Sequence, residues 1–421
     1  MKIVFLLHNA YAIGGTVRTT LNLAAALADH HDVEIASMAR HLDEPRFAVD
    51  PRVTLVPLVD VRPSSPDLRD PDHARPATDF PAADKRHHQY SRLTDLRVRA
   101  HLAGCDADVV IGTRPGINVY VSRFAPRRAL RIGQEHLRHD AHTKQLRKVL
   151  ARHYRTLDAV VTTTEADAEV YRARMNLPGV RVMSVPNIVP AAGVAPSDGT
   201  TPVIAAAGRL ARGKRFDLLL EAFAKVAAKE PDWELRIYGS GKQRDRLETL
   251  VHDLRLTGRA YLMGPQTPIE AEFARASIVV SASAAESFGM TLVEAMRCGV
   301  PVVSTDCPLG PAEIITDGTD GRLVPMDAPH ALADAILDLV TDADLRRAMG
   351  RAALRSAHRY DPAPIVTKYE SLFTDLRTTR LQRTWQRESV RARTWLNRRT
   401  RTLRNARPAR TGASNHKQPV A

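Results

Sequence analysis

The sequence predicts an α/β fold of two doubly wound units facing each other across a cleft. Two observations carry that prediction. Short apolar runs alternate with helix-spaced segments along most of the chain, the pattern of parallel strands joined by crossover helices. A Pro/Gly/Ala-rich stretch, VPNIVPAAGVAPSDGTTP at 185–202, then splits the alternation in two. A chain of 421 residues has room for both units, at roughly 100–200 residues per domain.

In the first unit, MKIVFLLH reads as a buried strand ending in a Gly14-Gly15 turn. A secretory leader needs an apolar run of about 7–15 residues. Here the run stops at five, Ile3 to Leu7, before His8 and Asn9. TTLNLAAALADH has helical spacing and DVEIASM is the next strand. ADVVIGT (107–113), ALRIGQEH (129–136) and LDAVVTTT (157–164) are further strands. Between Val61 and Tyr90 the pattern fails in a segment rich in Pro, Asp and His, which reads as a solvated loop or insert.

The second unit runs strand VIAAAGRL (203–210), helix FDLLLEAFAKVAAKEP, strand WELRIYGSG, helix QRDRLETLVHDLRL and strand RAYLMGP. It continues with short helix PIEAEFARA, strand SIVVSAS, helix TLVEAMRCG and strand VPVVSTD. PHALADAILDLVTD and ADLRRAMGRAALRSAHRY close it. Ligands of such sheets bind beyond the C-terminal ends of the strands.

Composition narrows the class. Apolar residues make up 44%, enough for sizeable cores. No run approaches the roughly 18 apolar residues of a spanning helix. Cys105, Cys298 and Cys307 lack metal-ligand spacing and suit a reducing, cytoplasmic setting. The formal charge of +14 is uneven. From Arg377 to Ala421, twelve Arg and one Lys face a single acid, Glu388, so this tail carries +12 and the rest +2. The tail reads as a flexible, solvated segment, as a dock for an anionic membrane surface or polymer, or as a nucleic-acid contact.

The stretch ESFGMTLVEAMRCGVPVV (286–303) concentrates the chemistry. A strand runs into a loop holding Glu286, and a helix beginning near Thr291 carries Glu294 one turn in. Its free N–H groups and partial positive charge suit a diphosphate. Gly289 lets the backbone approach a ligand, and Gly299 before Pro301 suits the helix end. The two carboxylates can then reach opposite ends of one elongated ligand. On spacing alone, Glu294 could equally complement the helix dipole and Glu286 sit in solvent.

ESFGMTLVEAM resembles the E-x7-E signature of the retaining glycosyltransferases of family 4, which have the two-domain GT-B fold. GRLARGK (208–214), GGTVRT (14–19), GPAEIITDGTDGRLVP (310–325) and HRYDPAPIVTKYESLF (358–373) resemble further family stretches in the same order. The resemblance spans the chain to about residue 376. It implies an acceptor-side domain over 1–190, completed by a crossing helix at 361–376, and a nucleotide-sugar domain over 200–360. It implies that Glu294 accepts hydrogen bonds from the ribose hydroxyls and that Glu286 holds the donor sugar. Arg209 and Lys214 clamp the diphosphate, a role that suits two cations five apart after a strand. Phe288, Gly289, Met290, Thr291 and Leu292 line sugar and phosphates, and Gly15 lets the opposite loop approach. Arg18 adds charge or meets the acceptor. Val17 stands where many members carry Glu. His136 meets the donor sugar across the cleft, with His139 the other candidate. The implied reaction is front-face substitution from a nucleoside diphosphate sugar, UDP by family frequency, to a hydroxyl of a cell-surface glycan, lipid-linked or wall-polymer acceptor. Neither glutamate is a nucleophile, and no cofactor or metal ion is required.

Three rivals share features. A nucleotide-sugar epimerase has the same architecture but needs no acceptor. A dinucleotide oxidoreductase needs a G-x-G-x-x-G turn, which NAYAIGGTVRT does not provide. A basic nucleic-acid-binding protein explains the tail but leaves Glu286, Glu294, Arg209 and Lys214 without a role.

Overall fold

The computed structural model describes residues 1–390. The first sheet contains β1 (Lys2–Leu7), β2 (Asp32–Ser37), β3 (Val53–Pro57), β4 (Val109–Gly112), β5 (Leu130–Glu135), β6 (Ala159–Thr162) and β7 (Arg181–Ser184). The second contains β8 (Val203–Ala207), β9 (Glu234–Tyr238), β10 (Ala260–Gly264), β11 (Ile278–Ser281), β12 (Val302–Thr305) and β13 (Gly321–Val324). Their orders are β3-β2-β1-β4-β5-β6-β7 and β10-β9-β8-β11-β12-β13, with every pairing between named strands parallel. In each sheet the order reverses beside the first strand, between β1 and β4 and between β8 and β11. Such reversals open the crevices in which α/β sheets bind ligands.

Both sheets are buried on two faces, which is why their strands read as nearly continuous apolar runs. Along β1, Ile3, Phe5 and Leu7 pack into one core and Val4 and Leu6 into another, following the two-residue period. Ala206 and Ala205 divide the same way on β8. Strands β3, β7 and β13 escape the sequence reading because each is short and only partly buried. The helices Arg92–Gly104, Pro115–Phe124, Lys144–His153 and Glu165–Arg174 are likewise unassigned from sequence. The first begins with a capping box in which Ser91 is answered by Thr94 rather than by the usual Glu or Gln.

The 61–90 segment is not a solvated loop. It is irregular, apart from one-turn helices at Pro66–Arg69 and His87–Gln89, yet it is anchored in the first domain. The buried Asp95 carboxylate accepts N–H bonds from Thr78 (2.6 Å) and Asp79 (2.9 Å) and the Tyr120 hydroxyl (2.5 Å). Phe80 stacks on Tyr90 with ring centroids 3.6 Å apart. It also lies against Gly116, where a Cβ would collide with its ring. Polar composition hid this seat, because one carboxylate satisfies several backbone donors at once.

The helix Pro362–Thr378 crosses back to the first domain, burying Ile365, Val366, Tyr369, Leu372, Phe373 and Leu376 in its core. Gln134 Nε2 donates to the Tyr369 hydroxyl at 2.6 Å. The expectation of a flexible tail from 377 needs correction. Residues 380–390 are again helical after a turn at Thr379. Arg383 is buried, with Nη1 2.7 Å from Asp158 Oδ1, and Arg387 Nη2 lies 3.3 Å from the same oxygen. The other oxygen of this buried carboxylate accepts the Arg131 N–H at 2.9 Å, and the two tail arginines complete its compensation. The remaining tail lies outside the described residues.

The domains also touch directly. Thr163 Oγ1 donates to the Ser287 carbonyl at 2.6 Å. The Glu313 carboxylate of the second domain accepts the N–H groups of Glu165 (2.9 Å) and Ala166 (2.8 Å). It thereby caps a first-domain helix with the charge that its N-terminus favours.

Candidate active site

The helix carrying Glu294 spans Met290–Arg297, one residue earlier than the sequence suggested. Its N-cap, Gly289, has φ 112°, in the region that favours glycine. A Cβ there would press on Ile314 and Leu292, at 3.1 and 3.2 Å. The neighbouring turn is tighter: Gly310, at φ 140°, lies so close to Phe288 that any Cβ would collide with its carbonyl. Phe288 itself is a packing residue, its ring edge-on to Tyr360 with centroids 5.5 Å apart. Only its backbone is available to a ligand. Gly299, at φ 69°, follows the helix end.

Glu294 is 6% exposed and faces the first domain. Its Oε1 accepts from Arg18 Nη1 at 2.8 Å, and Arg18 Nη2 pairs with Glu270. One guanidinium thus serves two buried carboxylates. Burial pushes the Glu294 carboxyl up to about 7; Arg18 opposes this and Glu270 adds to it. The two carboxylates hold Arg18 more firmly cationic than usual, against the effect of its own burial. Glu286 has a separate cation: Lys214 Nζ is 2.5 Å from its Oε1, which also accepts from Ser283 Oγ at 2.6 Å. Lys214 ends a one-turn helix, Arg212–Lys214, on the loop after β8.

On the opposite wall, the helix Gly15–Leu27 starts directly after the glycine turn. The positions of Gly14 and Gly15 have open space where a Cβ would stand. Val17 packs in the first-domain core and also borders the cavity between the domains. Gly15, His136 and Arg209 line one cavity between the domains, so the structure brings together residues 194 positions apart. His136 follows β5, with Nε2 3.4 Å from Gln134 Oε1. Burial, aided by Arg114, pushes its imidazole down to about 4, so it is neutral at pH 7. His139 is not the cleft residue: it is 3% exposed and packs edge-on to Tyr171.

The residues singled out from sequence therefore fall into two linked groups. Glu286, Lys214 and Glu294 belong to the second-domain wall, while Gly15 and His136 face it and Arg209 reaches the same cavity. Sequence reasoning missed Glu270, the second partner of Arg18, because no local motif marks it. It also missed Arg114, which lines the cavity two residues beyond the end of β4. The rule that ligands lie beyond strand ends could have found it.

Comparison with known proteins adds an independent line. Residues 192–356 match the family model of the glycosyl transferases, group 1. The exopolysaccharide phosphotransferase of Streptomyces coelicolor is 34% identical over 389 residues, covering 89% of this chain and 41% of that protein. The poly(ribitol-phosphate) α-N-acetylglucosaminyltransferase of Staphylococcus aureus is 30% identical over 41% of this chain and 36% of its own length. This chain thus spans less than half the length of these relatives. Among solved structures, S. aureus TarM in a complex containing UDP superposes with a TM-score of 0.71 at 17% identity, covering 88% of this chain and 99% of that one. Anabaena HepE with UDP-glucose gives 0.69 at 18%, covering 89% and 100%. The fold is GT-B.

Proposed function

We propose that the protein is a retaining glycosyltransferase of family 4 that moves a hexose-type sugar from a nucleoside diphosphate, UDP being the expected one, to an acceptor hydroxyl. The observation that carries this reading is the convergence of two walls on one cleft: Arg18 to Glu294 across the domains, Lys214 to Glu286 within one, and Gly15, His136 and Arg209 on a shared cavity. Two of the relatives above are named for an exopolysaccharide and for poly(ribitol-phosphate), which supports a polymer acceptor.

In this reading Glu294 exchanges Arg18 for the ribose hydroxyls. Arg209 and Lys214 meet the diphosphate at the N-terminus of the helix Met290–Arg297, where backbone N–H groups add to them. These charges stabilise the leaving phosphate, the step on which the rate depends, and do so without a metal ion. Glu286 accepts hydroxyls of the sugar, and neutral His136 offers a hydrogen bond from the other wall. The incoming hydroxyl attacks from the face the phosphate leaves, and that phosphate takes its proton, so the anomeric configuration is kept. The site works at the cytoplasmic face, and the arginine-rich tail attaches it to an anionic membrane or polymer. No helix among the described residues is long and apolar enough to cross a membrane.

The test is turnover of UDP-glucose, UDP-N-acetylglucosamine and UDP-galactose in the presence of chelator, with the product anomer assigned by NMR. A retained α-anomer formed without metal supports the reading. An inverted anomer, a metal requirement, or release of an isomerised nucleotide sugar without acceptor contradicts it. Deleting 391–421 tests the tail separately, by co-sedimentation with anionic vesicles.

A further inference from the structure

The cavity shared by Gly15, His136 and Arg209 extends into the first domain, away from Glu286 and Glu294, and its walls carry an unbalanced charge. Lys85, Arg86, Arg114 and Arg209 line it against one carboxylate, Asp84; Arg114 is half-buried, and the other three cations reach solvent. Asp84 is 5% exposed, and its Oδ1 accepts the backbone N–H of Arg86 at 2.9 Å. Its other oxygen is buried without a hydrogen-bond partner. Among the described residues, neither Lys85, Arg86, Arg114 nor Arg209 forms an ion pair. Arg86 Nη1 has only the neutral Gln89 Oε1, at 3.0 Å, and Arg114 Nε is buried with no partner at all. The remaining titratable groups do not supply the missing charge. His8 is pushed down to about 3 by burial and by Arg114 and Arg86, and His136 to about 4, so both are neutral. His142 already faces the buried Glu135, with Nε2 3.5 Å from Oε2.

By contrast, Arg18 has two carboxylates, and Arg383 and Arg387 share Asp158. The cavity cations differ because they crowd one another. The guanidinium of Arg86 is pushed down by burial, then by Arg114, and Arg209 adds to this. The fold works to keep them together. Phe80 is wedged on Gly116, two residues beyond Arg114, and Asp95 ties down the backbone at 78–80, so the irregular insert delivers Lys85 and Arg86 to the strand end that carries Arg114. Holding like charges together costs stability unless a ligand compensates them. Two guanidinium forks beside each other suit the oxygens of a phosphate.

We infer that this first-domain cavity seats a phosphate carried by the acceptor, gripped by Arg86 and Arg114 with Lys85 at its rim. The inference rests on the transferase reading and specifies its acceptor: a polyol or sugar hydroxyl with a phosphate ester nearby on the same molecule. The phosphate orients that hydroxyl toward His136 and the donor sugar. Arg209 stands at the boundary and belongs to the donor.

The test uses the full chain with its nucleotide site filled. Calorimetric titration in saturating UDP compares glycerol 3-phosphate, a monoester, with glycerophosphoglycerol, a diester, and with glycerol. Binding of either ester but not of glycerol is expected, and which ester binds better separates a free phosphate acceptor from a phosphodiester polymer. Arg114→Gln and Arg86→Gln should each weaken the ester at least tenfold while UDP binds as in the wild type, and Arg114→Lys should recover part of the loss. UDP binding also reports that each variant is folded. If UDP binds but neither ester does, or if glycerol binds as well as its phosphates, the inference is wrong while the transferase reading stands. If the Gln variants weaken UDP as much as the ester, the arginines belong to the donor and the inference is wrong. If UDP itself does not bind the wild type, the transferase reading falls and takes the inference with it.

Discussion

Replacing Arg18 with alanine tests whether one guanidinium really compensates two carboxylates across the domains. Glu294 and Glu270 have side chains 8% and 9% exposed, and Arg18 is 24% exposed. Removing one partner of a buried pair costs about 3–5 kcal/mol. Arg18 retains some solvent, so the lower end applies, about 3 kcal/mol at pH 8. The pH dependence is the sharper expectation. Glu294 titrates near 7 in the folded protein, above its unfolded value of 4.5. A carboxyl raised in this way contributes stability that is fully present below the unfolded pKa and is lost as pH rises through the folded one. In wild type that loss is complete just above pH 7. Without Arg18 the folded pKa rises further, so the loss continues. Each additional pH unit adds about 1.4 kcal/mol. The destabilisation caused by Arg18→Ala should therefore be about 1.4 kcal/mol larger at pH 8 than at pH 6.5, and Glu294→Gln in the same background should remove the difference. Guanidinium unfolding at the two pH values measures it. A penalty that is equal at both, or larger at pH 6.5, would refute the idea that Arg18 compensates a buried Glu294 charge.

Three further expectations follow from the same geometry. Glu294 must be ionised to accept two ribose hydroxyls, so affinity for a UDP-sugar, whose own phosphates do not titrate there, should fall several-fold from pH 8 to pH 6; calorimetry should find no such fall in Glu294→Gln. Gly310→Ala drives a Cβ into the Phe288 carbonyl from a backbone angle of 140°. It should lower stability by about 1–3 kcal/mol and weaken nucleotide binding by shifting the 288–289 backbone, both readable in one thermal titration. Asp158→Ala strips Arg383 and Arg387 of their shared carboxylate. It should cost about 3 kcal/mol and expose 380–390 to trypsin, seen as an early cut that leaves the domains intact.

What was legible in the sequence follows from where its physics is local. Strands such as β1 and β8 are buried on both faces, so their burial is written in consecutive residues. The turn at Gly289 and the spacing from Glu286 to Glu294 are local too, and so both were found. Arg18 and Glu270 are not: they meet across 252 positions, and only the closed cleft pairs them. The insert misled for a related reason. Its Pro, Asp and His content signals solvent, while its order comes from Asp95 and Gly116, which lie outside it. The arginines at 383 and 387 read as tail because the carboxylate that holds them sits at 158.

The most direct test of the central claim is thermal stabilisation of the purified protein by UDP, GDP and ADP, with and without magnesium, beside Glu294→Ala. At about a hundred times its dissociation constant, a nucleotide should add about 2.7 kcal/mol to the stability of the unit that binds it. A shift with one nucleotide, equal with and without magnesium and absent in the variant, is the predicted result. No shift with any nucleotide, or an undiminished shift in Glu294→Ala, would contradict a nucleotide site built on Glu294.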